Sequence, residues 1–187
     1  VNISRKVEAL SIIIRTNSNV HISGQNKKRI FNKDKAEYIE RSLNSLVHSI
    51  TLFKKKFNKF KIDLTVVDQS DSETMTLKLK QIFSQLNFEV KIIPFDKNEF
   101  KNEINLDFNK DVFGNLSSLL KCFSIAKENK GDLIFFLEDD YLHKETMIEE
   151  MILTYERISS QVNKELILVP SDYPLLYMNE RSTNVLA

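Results

Sequence analysis

Short apolar runs recur along the chain, and each is followed first by polar residues and then by a longer stretch with helical spacing. The runs are Leu10-Ser11-Ile12-Ile13-Ile14, Ile62 to Val67, Val90 to Ile93, Leu133-Ile134-Phe135-Phe136-Leu137 and Leu166 to Val169. They are too short for core helices and rich in β-branched and aromatic residues, so they read as buried strands. Between the first two runs, Ala36 to Phe57 places Ile39, Leu43, Leu46, Val47, Ile50, Phe53 and Phe57 on one helical face. Ser70-Asp71-Ser72-Glu73 has the form of a capping box and opens a second helix, with Leu79, Ile82, Phe83 and Leu86 on one face. A third helix follows Gly114-Asn115 and carries Leu116, Leu119, Leu120, Phe123 and Ala126, with Gly131 where a glycine past the helix end belongs. A fourth carries Met147, Ile148, Met151, Ile152, Tyr155 and Ile158.

Strands alternating with helices predict βαβ units. The expected fold is α/β: a Rossmann-like sandwich, with a mostly parallel central sheet and helices on both faces. A length of 187 residues suits a single domain spanning 1–187. The chain starts at Val1, as expected of a processed or trimmed chain whose C-terminal part is also incomplete.

Composition removes several function classes. Lys plus Arg number 27 and Asp plus Glu 26, a net charge of +1 that gives no support to a nucleic-acid binder. A single cysteine leaves neither an internal disulfide nor a multi-cysteine zinc site. No apolar run approaches the roughly 20 residues of a membrane span, and no secretory leader is visible, so the expected location is cytoplasmic. The Walker-type phosphate loop is absent.

In open α/β sheets ligands bind beyond the carboxyl ends of the strands. The residues found there are Arg15, Thr16 and Asn17 after the first run, Asp68 and Gln69 after the second, Glu138-Asp139-Asp140 after the fourth and Asp172 after the fifth. Three strand ends thus deliver carboxylates to one edge. In extended chain Glu138 and Asp140 share a face and Asp139 takes the other. Adjacent carboxylates repel, and a hard divalent cation such as Mg²⁺ or Mn²⁺ relieves the repulsion. An acidic loop capping the next helix is the competing explanation. Asp68 reads equally as the start of a turn.

Ser11-Ile12-Ile13-Ile14-Arg15-Thr16-Asn17, then Val66-Val67-Asp68-Gln69-Ser70-Asp71, then Lys121-Cys122, Gly131 and Glu138-Asp139-Asp140 follow one another in an order that resembles glycosyltransferases of the GT-A fold, close to family 2. The likeness covers about Leu10 to Asp140. Two departures stand out: Glu138 occupies the first position of the Asp-x-Asp motif, and Lys121-Cys122 replaces an Arg-Asn pair. The resemblance implies that Thr16 and Asp68 contact a nucleoside, with Asp68 reading the base, and that Lys121 faces the nucleotide. It implies that Asp139 borders a diphosphate, and that Asp140, with Glu138, ligates Mn²⁺ or Mg²⁺. The catalytic base, a carboxylate that deprotonates the acceptor hydroxyl, is expected downstream, with Asp172 the first candidate and Glu180 the second. The implied partners are a nucleotide-sugar donor and a glycan, lipid-linked or other hydroxyl acceptor, with contact at the inner face of the membrane.

The alternative is a non-catalytic nucleotide- or glycan-binding module that keeps the fold and lacks a base. A sugar nucleotidylyltransferase ranks last, because only Gly24 follows the first run where a phosphate-cradling loop is needed.

Other features have plain readings. Lys54-Lys55-Lys56 with Lys59 and Lys61 offsets the dipole at a helix end, or attracts anionic lipid. Lys27-Lys28-Arg29 is an exposed loop or a phosphate contact. His143 is close in sequence to Asp140, and Cys122 is a buried small residue. The long connection Phe95 to Phe113 is expected to close over a ligand.

Overall fold

The structure is a computed structural model and describes residues 2–19, 33–104, 110–129 and 131–170. Gly24, Lys27-Lys28-Arg29, Asp172 and Glu180 lie outside the described residues.

The chain divides into two compact units. The larger, Val7–Glu149, contains the whole sheet. Its elements are β1 (Ala9–Thr16), α1 (Lys35–Lys56), β2 (Lys61–Asp68), α2 (Glu73–Phe83), β3 (Val90–Pro94), α3 (Lys110–Glu128) and β4 (Leu133–Leu137), with a short 3-10 turn over Lys97–Phe100. All strand pairings are parallel and the order is β3-β2-β1-β4. The fold is therefore α/β with an all-parallel sheet and a Rossmann-like arrangement of strands.

Strand order fixes where the helices go. The steps from β1 to β2 to β3 run outward in one direction, whereas β3 to β4 returns across the sheet to the other side of β1. Right-handed crossovers then set α1 and α2 on one face and α3 on the other. The packing follows: Cys122 of α3 lies against Ile13 and Val67. By alternation Ile12, Ile14, Leu64 and Val66 turn to the opposite face, and each is 1% exposed or less. Burying one such side chain stabilises by about 1.5–3 kcal/mol. Burial pushes the Cys122 thiol up to about 11, with Arg15 opposing the rise.

The apolar face expected of α1 is the buried one, from Ile39 to Phe53. Phe57 is the exception. It caps the helix, half-exposed, and stacks on Phe53 with ring centroids 4.7 Å apart. Two of the lysines at this helix end have partners within the chain. Lys54 donates to the carbonyls of Asn58 and Phe60, and Lys56 pairs with Glu149 at 2.7 Å.

Several boundaries differ from expectation. Ser72, not Ser70, caps α2, accepting from the Met75 amide at 3.3 Å; Ser70 is bonded to Asp68 instead, and no box forms. The third helix begins at Lys110, so Gly114 and Asn115 lie within it. The connection after β3 is not a free loop. Phe100 and Ile104 pack with Phe113 against Leu116 and Leu120 of α3, which anchors the segment before residue 105.

The smaller unit is built from Val1–Lys6 and Glu150–Ala187, of which residues 2–6 and 150–170 are described. The fourth helix, α4 (Met147–Val162), starts in the larger unit and continues into this one. Within the smaller unit Ser160 Oγ accepts from the amides of Ser4 and Arg5, and Glu165 is held by Arg5 and the Tyr155 hydroxyl. The predicted fifth strand, Leu166 to Val169, joins no sheet. Ile167 is 94% exposed and Val169 75%, so its alternate side chains lack the packed surface a strand needs. Among the described residues, no helix is long and apolar enough to cross a membrane.

Gly131 is required by crowding: a Cβ there would come 2.7 Å from Ser11 Oγ, which is buried in β1. Gly131→Ala is expected to lower stability by about 1–3 kcal/mol through overpacking. Ser11→Ala in the same chain should recover part of the loss, as measured by urea unfolding of the two single variants and the double variant.

Candidate functional site

The parallel arrangement brings the carboxyl ends of β1, β2 and β4 to one edge. β1 is flanked by β2 and β4, and the crossover direction reverses between β1 and β4. That fork is the topological switch point, where open α/β sheets leave a crevice.

On the β2 side the register sets Thr16 directly opposite Asp68. Their side chains meet: Thr16 Oγ1 donates to Asp68 Oδ1 at 2.8 Å. The same oxygen accepts from Ser70 Oγ at 2.7 Å and from the Ser70 amide at 3.2 Å. Thr16 is 1% exposed, Ser70 0% and Asp68 5%. Three donors converging on one oxygen hold a buried carboxylate in a single orientation. Asp68 lines a cleft of about 490 Å³, with Asp71, Ser72, Glu73, Thr76, Pro94, Phe95 and Asp96 around it. Asp71 enters it at φ 44°, a left-handed conformation that Asp tolerates better than most residues. Gln69 reaches the other way, donating to the Gly114 carbonyl at 2.8 Å and accepting from Asn17 Nδ2 at 3.3 Å.

On the β4 side the acidic triplet alternates as expected: Glu138 and Asp140 are exposed and Asp139 is buried. Asp139 Oδ2 accepts from the Asn17 amide at 2.9 Å, and Oδ1 accepts from Lys35 Nζ at 2.5 Å. Burial pushes the Asp139 carboxyl above its ordinary value, and Lys35 and the Asn17 amide oppose that rise. Glu138 pairs with the Arg15 guanidinium, which also donates to the carbonyl and side-chain oxygens of Asn115. Asp140 makes no hydrogen bond or ion pair among the described residues.

The candidate residues therefore separate. Thr16 and Asp68 are in contact; Asp139 and Asp140 stand across β1 from them. Lys121 is directed elsewhere, donating to Glu99 at 2.7 Å where α3 meets the 3-10 turn. Asp172 lies outside the described residues. His143 turns toward α1, where its amide donates to Ser45 Oγ at 3.0 Å and its buried Nε2 has no partner among the described residues.

The Mn²⁺ or Mg²⁺ that the resemblance implies would need several oxygen donors converging on one point. Both Asp139 oxygens are taken, one by a cation, and Glu138 holds a second cation. Among the described residues no three His, Cys, Asp or Glu side chains converge to hold a metal ion. The arrangement does not fit a divalent ion on this triplet.

Two site residues were not singled out from the sequence. Lys35 lies just before the helix expected over Ala36 to Phe57, and Asn115 just before the expected start of its helix. A cation at the first position of a helix is the wrong sign for the dipole, and that mismatch was the available signal for Lys35. Nothing in spacing marks Asn115.

Compared with known protein families, curated proteins and solved structures, the chain matches none of them.

His143 supplies a check on this geometry. Burial lowers its pKa from 6.5 to about 4. The unfolded chain therefore binds more protons than the native one between those values, and stability falls as pH drops from about 6.5 to about 4. His143→Gln should flatten that part of the stability curve, measured by urea unfolding across the same pH range. An unchanged slope would show that His143 is not buried as described.

Proposed function

We propose that this chain binds a nucleotide-activated sugar at the carboxyl edge of its sheet and transfers the sugar to a hydroxyl acceptor. The observation that carries the reading is Asp68 on the wall of the cleft, held in place by the buried Thr16 and Ser70. Three donors fix this carboxylate through one oxygen, and its second oxygen has no hydrogen-bond partner among the described residues, so it can accept from a ligand. A pyrimidine or purine edge that presents N–H groups is the matching partner. Phe95, which lines the same cleft, offers an aromatic surface to a base. The order of motifs along β1, β2 and β4 supports the same reading.

The acceptor belongs to the glycan, lipid-linked or other hydroxyl class, and the setting is the cytoplasm. No base is assigned among the described residues. A module that binds the nucleotide without transferring sugar is the second reading, and turnover separates the two.

The test is a thermal-shift and calorimetric screen with UDP, GDP, CDP and their sugars. A ligand that binds only the native state raises its apparent stability. One nucleotide class is expected to bind, and Asp68→Ala to weaken it by at least 10-fold while Glu150→Gln, on α4, leaves it unchanged. Absence of binding by every nucleotide and nucleotide sugar would overturn the proposal. Equal affinity in Asp68→Ala would remove Asp68 from the site.

A further inference from the structure

The cleft beside Asp68 has a one-sided wall. Asp68, Asp71, Glu73 and Asp96 line it, and no cationic side chain does so among the described residues. Most of its hydrogen-bond donors are already committed. Pro94 has no amide hydrogen, the Phe95 amide donates to the Asp68 carbonyl at 3.0 Å, and the Thr76 hydroxyl donates to the Ser72 carbonyl at 3.1 Å. The Ser72 hydroxyl, which accepts from the Met75 amide, is the side-chain donor left on the wall. Carboxylates alone would mean little here, since Asp71, Glu73 and Asp96 are exposed and screened by solvent. Asp68 is different. It is 5% exposed, three donors hold one of its oxygens, and the other oxygen has no partner among the described residues. A buried acceptor left unsatisfied is costly, so this oxygen calls for a donor from whatever fills the cleft. The volume of about 490 Å³ is in the range of small-molecule sites.

We infer that the cleft selects guanine among the bases, because it offers many acceptors and few donors. The pairing edge of guanine carries three N–H bonds and one carbonyl, whereas that of uracil carries one N–H between two carbonyls. Adenine and cytosine present a single amino group each. A guanine N–H satisfies the second oxygen of Asp68, and its remaining N–H groups face further acceptors. Uracil also satisfies Asp68, but its two carbonyls then meet Asp71, Glu73 or Asp96, acceptor against acceptor, and that clash is what discriminates. The same carboxylates repel phosphate, so the base carries the recognition and the neutral nucleoside is the cleanest probe of it. This inference rests on the reading that the cleft takes a nucleotide; the choice of base is what it adds.

Calorimetry on the whole chain tests it, first with guanosine, inosine, adenosine, cytidine and uridine, then with GDP and UDP. Guanosine is expected to bind, and uridine to bind at least 10-fold more weakly. Inosine, which lacks the 2-amino group, is expected to fall between them. Asp68→Asn keeps the oxygen that Thr16 and Ser70 hold and turns the other into an amide that donates; it is expected to weaken guanosine at least 10-fold. If that variant fails to fold, the triple variant Asp71→Asn, Glu73→Gln, Asp96→Asn changes only exposed side chains, and is expected to bring uridine at least 3-fold closer to guanosine.

The outcomes separate this inference from the proposed function. Uridine and UDP bound as tightly as guanosine and GDP overturn the inference and leave the proposed function standing. Guanosine preference that depends on Asp68, with no sugar transferred from any GDP-sugar, keeps the inference and removes the transfer. Binding of no nucleoside overturns the inference, as does a guanosine preference that Asp68→Asn and the triple variant both leave unchanged.

Discussion

Everything at the candidate site depends on β1 being paired in parallel on both sides. Thr16 opposite Asp68 and Ile14 opposite Leu137 are consequences of one register. Side chains alternate with a period of two, so a slip of one residue would send Thr16 to the α3 face and Arg15 toward Asp68. The register is secured by Ile12, Ile13 and Ile14, which are buried on alternating faces of the sheet. The core and the site are thus specified by the same strand: its middle packs, and its carboxyl end presents chemistry.

Bringing strand ends together also concentrates negative charge, and the chain resolves this differently on the two sides of β1. Asp68 is held by neutral donors from a threonine and a serine. Asp139 and Glu138 are held by cations. A buried ion pair contributes little net stability, but losing one partner costs about 3–5 kcal/mol because the other charge remains buried. The β4 side is accordingly sensitive to charge: losing the charge of Lys35 or of Asp139 alone leaves the other buried and unpaired. The β2 side tolerates more, since an uncharged donor can be lost from a network that retains two others.

Much of the architecture was legible in the alternation of apolar runs with amphipathic stretches. The strand β4 and the buried face of α1 fall where Leu133 to Leu137 and Ile39 to Phe53 place them. The failures are informative. Leu166 to Val169 has a strand's composition, but composition says nothing about whether a neighbouring strand offers a free edge and a packed face. The start of α3 was placed late because Gly114 reads locally as punctuation; in the helix nothing stands within 4 Å of where its Cβ would be, so the glycine answers no steric demand. At the site, Asp68 and the alternation of the acidic triplet were visible, because strand ends and a period of two are local properties. The partners were not. The pairing of Lys35 with Asp139 spans more than a hundred residues of sequence, and no local pattern encodes a contact made by the return of the chain across the sheet.

The buried thiol has a consequence of a different kind. Cys122 is sealed between α3 and the sheet, beside Ile13 and Val67, and its proton is held far above neutrality. A thiol reagent reacts with the thiolate, so it gains access only when α3 lifts from β1 and β2. The chain's lone cysteine is therefore a clock for that single motion. Its modification rate under native conditions reports how often the face of the sheet opposite α1 and α2 is uncovered, a kinetic quantity distinct from the stability of the whole fold.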